Sequence, residues 1–110
     1  MANAYKVLGQ VAPSATTDTT LYTVPAATET VISTIVIANR AAAVSTFDIA
    51  IRPNGEALVA KHYIARLVTV GASDSTTMTL GITLDAADVV TIQASTANLS
   101  FNIFGSEITA

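Results

Sequence analysis

The sequence contains no cysteine and no tryptophan. The first absence excludes a disulfide framework, a thiolate nucleophile and a thiolate metal site, so packing alone must stabilise the fold. Charge is also scarce: 12% of the 110 residues are Asp, Glu, Lys or Arg, about half the share in an ordinary soluble domain. The basic residues Lys6, Arg40, Arg52, Lys61 and Arg66 stand singly, and the net charge is −3. That leaves no basic stripe for phosphate, so no nucleic-acid partner is expected. No apolar run approaches the roughly 18 residues that cross a bilayer, and Met1 to Lys6 lacks a basic region followed by an apolar core. No membrane partner and no secretion are expected. Hydrophobic residues nonetheless make up 51% of the chain, so its surface must be built from Thr, Ser and Ala, with part of it hidden against neighbouring molecules.

What is present is a repeated two-residue period. Leu99, Phe101 and Ile103 alternate with Ser100 and Asn102, the pattern of a strand with one buried and one wet face. Val90, Ile92 and Ala94 alternate in the same way with Thr91, Gln93 and Ser95. The polar break from Ser95 to Asn98 predicts that these two strands pair as an antiparallel hairpin. A second turn, Asp85 to Asp88, is expected to join the run Thr79 to Leu84 to the same sheet. Phe47, Ile49 and Ile51 alternate with Asp48, Ala50 and Arg52, which predicts a half-buried strand ended by Pro53-Asn54-Gly55, where Gly55 takes positive φ.

The densest β signal is Val31 to Ile37, with β-branched residues at both parities; it predicts a central strand covered on both faces over part of its length. Shorter strands are expected at Ala4–Gly9, at Leu21–Val24 before Pro25, and at Thr76–Leu80, where Thr alternates with Met78 and Leu80. Glu56 to Lys61 has the composition of a short helix, but an irregular lead-in to a strand over His62–Val70 fits better. About eight short strands in one domain spanning 1–110 predict an all-β antiparallel sandwich, jelly-roll-like or Ig-like. Ile35, Ile37, Phe47, Ile49, Ile51, Leu99, Phe101 and Ile103 form its expected core.

No reactive constellation stands out, so the expectation is no enzyme, no catalytic residue, no cofactor and no metal. His62, the single histidine, reads as a partly buried strand residue, since nothing beside it forms a nucleophile with an orienting group. Asp85 and Asp88, with Asp74 nearby, have oxygens for a hard cation, but they are also what a tight turn uses. The hydroxyl row Thr76-Thr77-Met78-Thr79 reads as a solvated strand face. A sugar site would stack a ring on an exposed aromatic, and aromatics are only 5% of this chain.

Four segments carry a family resemblance: Tyr5-Lys6-Val7-Leu8-Gly9-Gln10, Leu21-Tyr22-Thr23-Val24-Pro25, Ile37-Ala38-Asn39-Arg40 and Phe104-Gly105-Ser106-Glu107. On these the chain resembles small virion structural proteins of tailed bacteriophages, particularly those that infect cyanobacteria. The resemblance implies a capsid decoration or cement protein, assembled in the host bacterial cytoplasm and bound outside the shell. Its implied partners are the major capsid protein and further copies of itself, as a homotrimer. A tail, neck or baseplate component, or a host-glycan recognition module, is the alternative. Small residues at Met1–Ala4 could reach along a shell or over a neighbouring copy.

Overall fold

Eight strands account for most of the chain: β1 (Ala2–Val11), β2 (Thr19–Thr23), β3 (Thr28–Asn39), β4 (Ser45–Arg52), β5 (Tyr63–Val70), β6 (Ser75–Leu84), β7 (Val89–Ala94) and β8 (Leu99–Thr109). The structure, a computed structural model, describes residues 2–109, and of Leu80 the backbone only. Strand β1 pairs with β8, β2 with β7, β3 with β6 and β4 with β5, all antiparallel. The chain is thus one long doubled-back ribbon. It is rolled so that β8 also pairs with β3, and β7 with β4. Two four-stranded sheets result, ordered β1-β8-β3-β6 and β2-β7-β4-β5. This is a jelly-roll sandwich, which decides between the two connections that periodicity left open.

The rolling corrects two expectations. Strands β7 and β8 lie in different sheets and do not form a hairpin; the 95–98 link crosses the sandwich. The turn Asp85 to Asp88 likewise carries the chain from one sheet to the other, and Thr76–Leu84 belongs to the single strand β6. A short polar break between alternating runs specifies a reversal of direction, not which neighbour the next strand will bond. Among consecutive strands only β4 and β5 pair. Between them Asn54 and Gly55 both take left-handed backbone, at φ 53° and 69°, and a 3-10 turn at Ala60–His62 leads into β5.

Seven of the eight expected core residues are buried between the sheets, and Phe47 meets Phe101 edge to face with ring centres 6.0 Å apart. Ile51 is only half-buried, because it sits at the end of β4 where the chain leaves the sheet. The both-parity signal in β3 has a different cause from the one expected. Thr28, Thr30 and Ile32 are buried, then Ile35, Ile37 and Asn39. The inward set changes parity at Ser33, which is extra relative to β8: Ile32 faces Gly105 and Thr34 faces Phe104. A β-bulge, not two covered faces, explains the run. It also requires Gly105, since a Cβ there would lie 2.1 Å from the Val31 carbonyl oxygen.

Strand β4 departs the other way, because Asp48 and Ala50, on its outward side, are buried as well. Asp48 accepts the Leu67 N–H at 2.7 Å and stands 3.5 Å from the Arg66 guanidinium. Arg52 folds back to donate to Thr91 Oγ1, Gly55 O and Glu56 O, which covers Thr91 and ties down the β4–β5 connection.

Candidate interaction surface

The two outer faces of the sandwich therefore differ. The β2-β7-β4-β5 face buries Asp48, Ala50 and Thr91 under its own arginines and bulge. On the β1-β8-β3-β6 face, no outward residue is buried among the described residues. Register gives the composition of that bare face, because antiparallel partners point the same way. One row runs Tyr5, Ser106, Val31, Thr83 and the next runs Val7, Phe104, Thr34, Thr79. Ile108 lies beyond the first row, between Asn3 and Glu29.

Tyr5 is 82% exposed and Val7 47%. Around them Tyr5, Val31, Ser33, Phe104 and Ser106 line a shallow depression, where the bulge at Ser33 interrupts the side-chain rows. Lys6, paired with Glu107, also borders the depression; an apolar patch with one exposed ring, flanked by threonines, is suited to contact with another surface.

Behind the patch, on the inner side of the same strands, a polar cluster anchors β1. The Lys6 ammonium bonds Glu107 Oε1 and the Tyr22 hydroxyl donates to Glu107 Oε2, both at 2.5 Å. Because that hydroxyl proton is committed to Glu107, Thr30 Oγ1 is the donor to the Tyr22 oxygen, at 2.8 Å. Lys6 and the Tyr22 hydroxyl hold the Glu107 carboxyl below the usual carboxylate range. Burial, reinforced by the Glu107 carboxylate, pushes the Tyr22 hydroxyl up to about 12. Ala2 to Ala4, read from the sequence as able to reach along a shell or over a neighbouring copy, pair with Thr109 to Glu107 of β8; Met1 lies outside the described residues.

The other residues singled out in the sequence serve local structure. His62 is buried in the 3-10 turn just before β5. Its Nδ1 accepts the Val59 N–H at 3.1 Å, so Nε2 carries the proton and faces Glu56 Oε1 at 3.3 Å. Both ring nitrogens are thus used in closing the loop. Asp88 accepts the Asn54 and Asp85 N–H groups, and Asp85 accepts that of Ala86. Asp74 remains apart at the turn before β6, accepting the Ser75 N–H. Among the described residues no three His, Asp or Glu converge. Thr77, Thr79 and Thr83 form an exposed row on the outer side of β6.

Sequence reasoning found β1 but not its importance. Alternation in Ala4–Gly9 puts Tyr5 and Val7 on one side of a strand, but nothing in the sequence says that this side faces outward. Lys6 and Glu107 are 101 positions apart, beyond any spacing rule, and only the β1–β8 register joins them.

No family model matches the chain, and no curated protein matches it. Among solved structures it is similar to a chain of infectious bursal disease virus, Gt strain, at TM-score 0.48 and 11% identity, over 96% of this chain and 31% of that one. It is similar to a chain of the Gx strain of the same virus at TM-score 0.48 and 12% identity, over 96% and 30%. The present chain thus spans less than a third of the length of either, and no residue role is carried over from them.

Proposed function

We propose that this protein is a structural component of a bacteriophage virion, a decoration or cement protein that lies on the outside of a capsid and stabilises the shell. The observation that carries the proposal is the unequal covering of the sandwich: one outer face buries Asp48 and Thr91 beneath Arg66 and Arg52 and exposes apolar side chains only along its β5 edge, at Ile64 and Leu67, whereas the other buries no outward residue among the described residues and presents Tyr5, Val7, Val31, Phe104 and Ile108. Permanent assembly is the setting in which a charge-poor protein can keep such a face, because lasting interfaces are core-like and remove it from water. The resemblance in the four sequence segments supplies the phage setting. The partners are the major capsid protein and further copies of this chain. The test is to separate heads from tails of virions of the phage that encodes it and to quantify the protein on each by mass spectrometry. Stoichiometric amounts on heads are expected; presence on tails alone moves the protein to the tail, neck or baseplate, and absence from virions overturns the proposal.

Tyr5 supports a second reading. Its exposed ring, beside Ser106 and Asn3, supplies the stacking surface that composition argued against, so a host-glycan role is tested on a glycan array. Selective binding lost in Tyr5→Ala establishes it.

A further inference from the structure

We infer that β1 is a self-pairing edge, through which two copies of this chain join their β1-β8-β3-β6 sheets about a two-fold axis near Tyr5. The inference is independent of the virion reading, since it concerns the isolated protein.

Each sheet has two edges, formed by β1 and β6 in one and by β2 and β5 in the other. An edge exposes unpaired N–H and C=O groups, and folded proteins usually protect it by short length, proline, outward charge or a bulge. Strand β2 has five residues and is followed by Pro25. Strand β5 is bulged at Arg66–Leu67, with Leu67 at φ 51°. Strand β6 is broken in its middle, where Ile32 faces Ile82 but Thr34 faces Thr79. Strand β1 is irregular only at Leu8, so Ala2 to Val7 stay regular. Its single charge, Lys6, points inward, a placement that can guard an edge by leaving a charge stranded on pairing, but here Glu107 already neutralises it, so pairing strands no charge.

The occupant follows from face matching and charge. Antiparallel partners must share a face, so the two β1 strands can pair only in registers that place outward residues opposite outward residues. In the register centred on Tyr5, Tyr5 faces its own copy, Asn3 faces Val7, and Ala4 faces Lys6. No two like charges stand directly opposed, and each Lys6 keeps its own Glu107. The patch around Val7 and Phe104 becomes continuous across the axis. The chain carries net charge −3, yet β1 contains no acidic residue. It is therefore an edge along which two acidic copies can approach. This geometry gives a dimer, in contrast to the homotrimer that the sequence resemblance implies.

The absence of cysteine makes the test direct. Directly opposed residues of an antiparallel pair have Cα atoms about 4.5–5.5 Å apart, inside the roughly 4.4–6.8 Å that a disulfide spans. Tyr5→Cys should therefore cross-link to itself under mild oxidation. Asn3→Cys, whose two copies would lie about 13 Å apart along the strands, should not, and neither should Thr77→Cys on the opposite edge. Tyr5→Lys places like charges on the axis and should weaken association about tenfold, while at concentrations low enough for the monomer to predominate the melting temperature should match the parent's, because Tyr5 is exposed in the single chain. Sedimentation equilibrium of the parent should give a monomer–dimer equilibrium. A monomer throughout the accessible concentration range, a trimer, or cross-linking at residue 77 as fast as at residue 5 overturns the inference.

Discussion

Phe101 shows how much a single side chain contributes to a fold without disulfides. It is fully buried and meets the edge of Phe47, so Phe101→Ala removes both the ring and that contact and should cost about 3–5 kcal/mol. The urea midpoint of the variant reads this; a melting temperature within a degree or two of the parent would mean that the site does not bury the ring. Glu107 acts through charge. Its pKa is lowered in the folded state, so its contribution to stability is present above the unfolded carboxylate value and is lost as pH falls through the folded one. Tyr22 is shifted the other way, to about 12, so its contribution is complete below the unfolded value of about 10 and is lost as pH rises from there to the folded value. Urea midpoints across pH should therefore fall at both ends. Glu107→Gln should flatten the acid side, and an unchanged acid limb would assign it to other carboxylates.

Among the elements, the strands were legible in the sequence and their partners were not. Alternation placed Leu99–Ile103 correctly, with one inward parity, and located the strand at Phe47–Ile51, although Asp48 and Ala50 there are buried as well and Ile51 is half-buried. It misjudged Val31–Ile37, where a bulge at Ser33 moves the inward set from even to odd positions. Alternation also could not show that Asp48 is buried, since its partners lie on β5, about 20 residues later. The candidate surface was hidden for a related reason: which side of β1 faces outward depends on pairing with the other end of the chain. Asp48 holds Leu67 at φ 51° with its side chain 64% exposed. A residue with a Cβ pays on the order of 1–2 kcal/mol for left-handed backbone, whereas glycine adds roughly 0.5–1 kcal/mol of unfolded-state entropy. Leu67→Gly should accordingly leave stability unchanged or raise it by up to about 1 kcal/mol. A clear loss in chemical denaturation would show that the leucine packs against its neighbours.

For the whole molecule, few charges and an uneven arrangement of them set the electrostatics of the proposed self-association. Glu29, Asp85 and Asp88 border one open depression at an end of the sandwich without converging, and Glu107 is neutralised by Lys6 beside the β1 edge. In the proposed β1–β1 dimer, two copies would repel through their net charge while the paired strands and the patch at Val7 and Phe104 would attract without ion pairs. The screening length falls from about 30 Å at 0.01 M salt to about 8 Å at 0.15 M, so added salt removes the repulsion and leaves the backbone and apolar attraction nearly intact. Self-association should therefore hold or strengthen a few-fold over that range, as measured by sedimentation equilibrium in the two buffers. Pronounced weakening would point to ion pairs across the interface. The available cation is Lys6, so Lys6→Met would then abolish the salt dependence, and Lys6 would have exchanged its own Glu107 for an acid of the second copy.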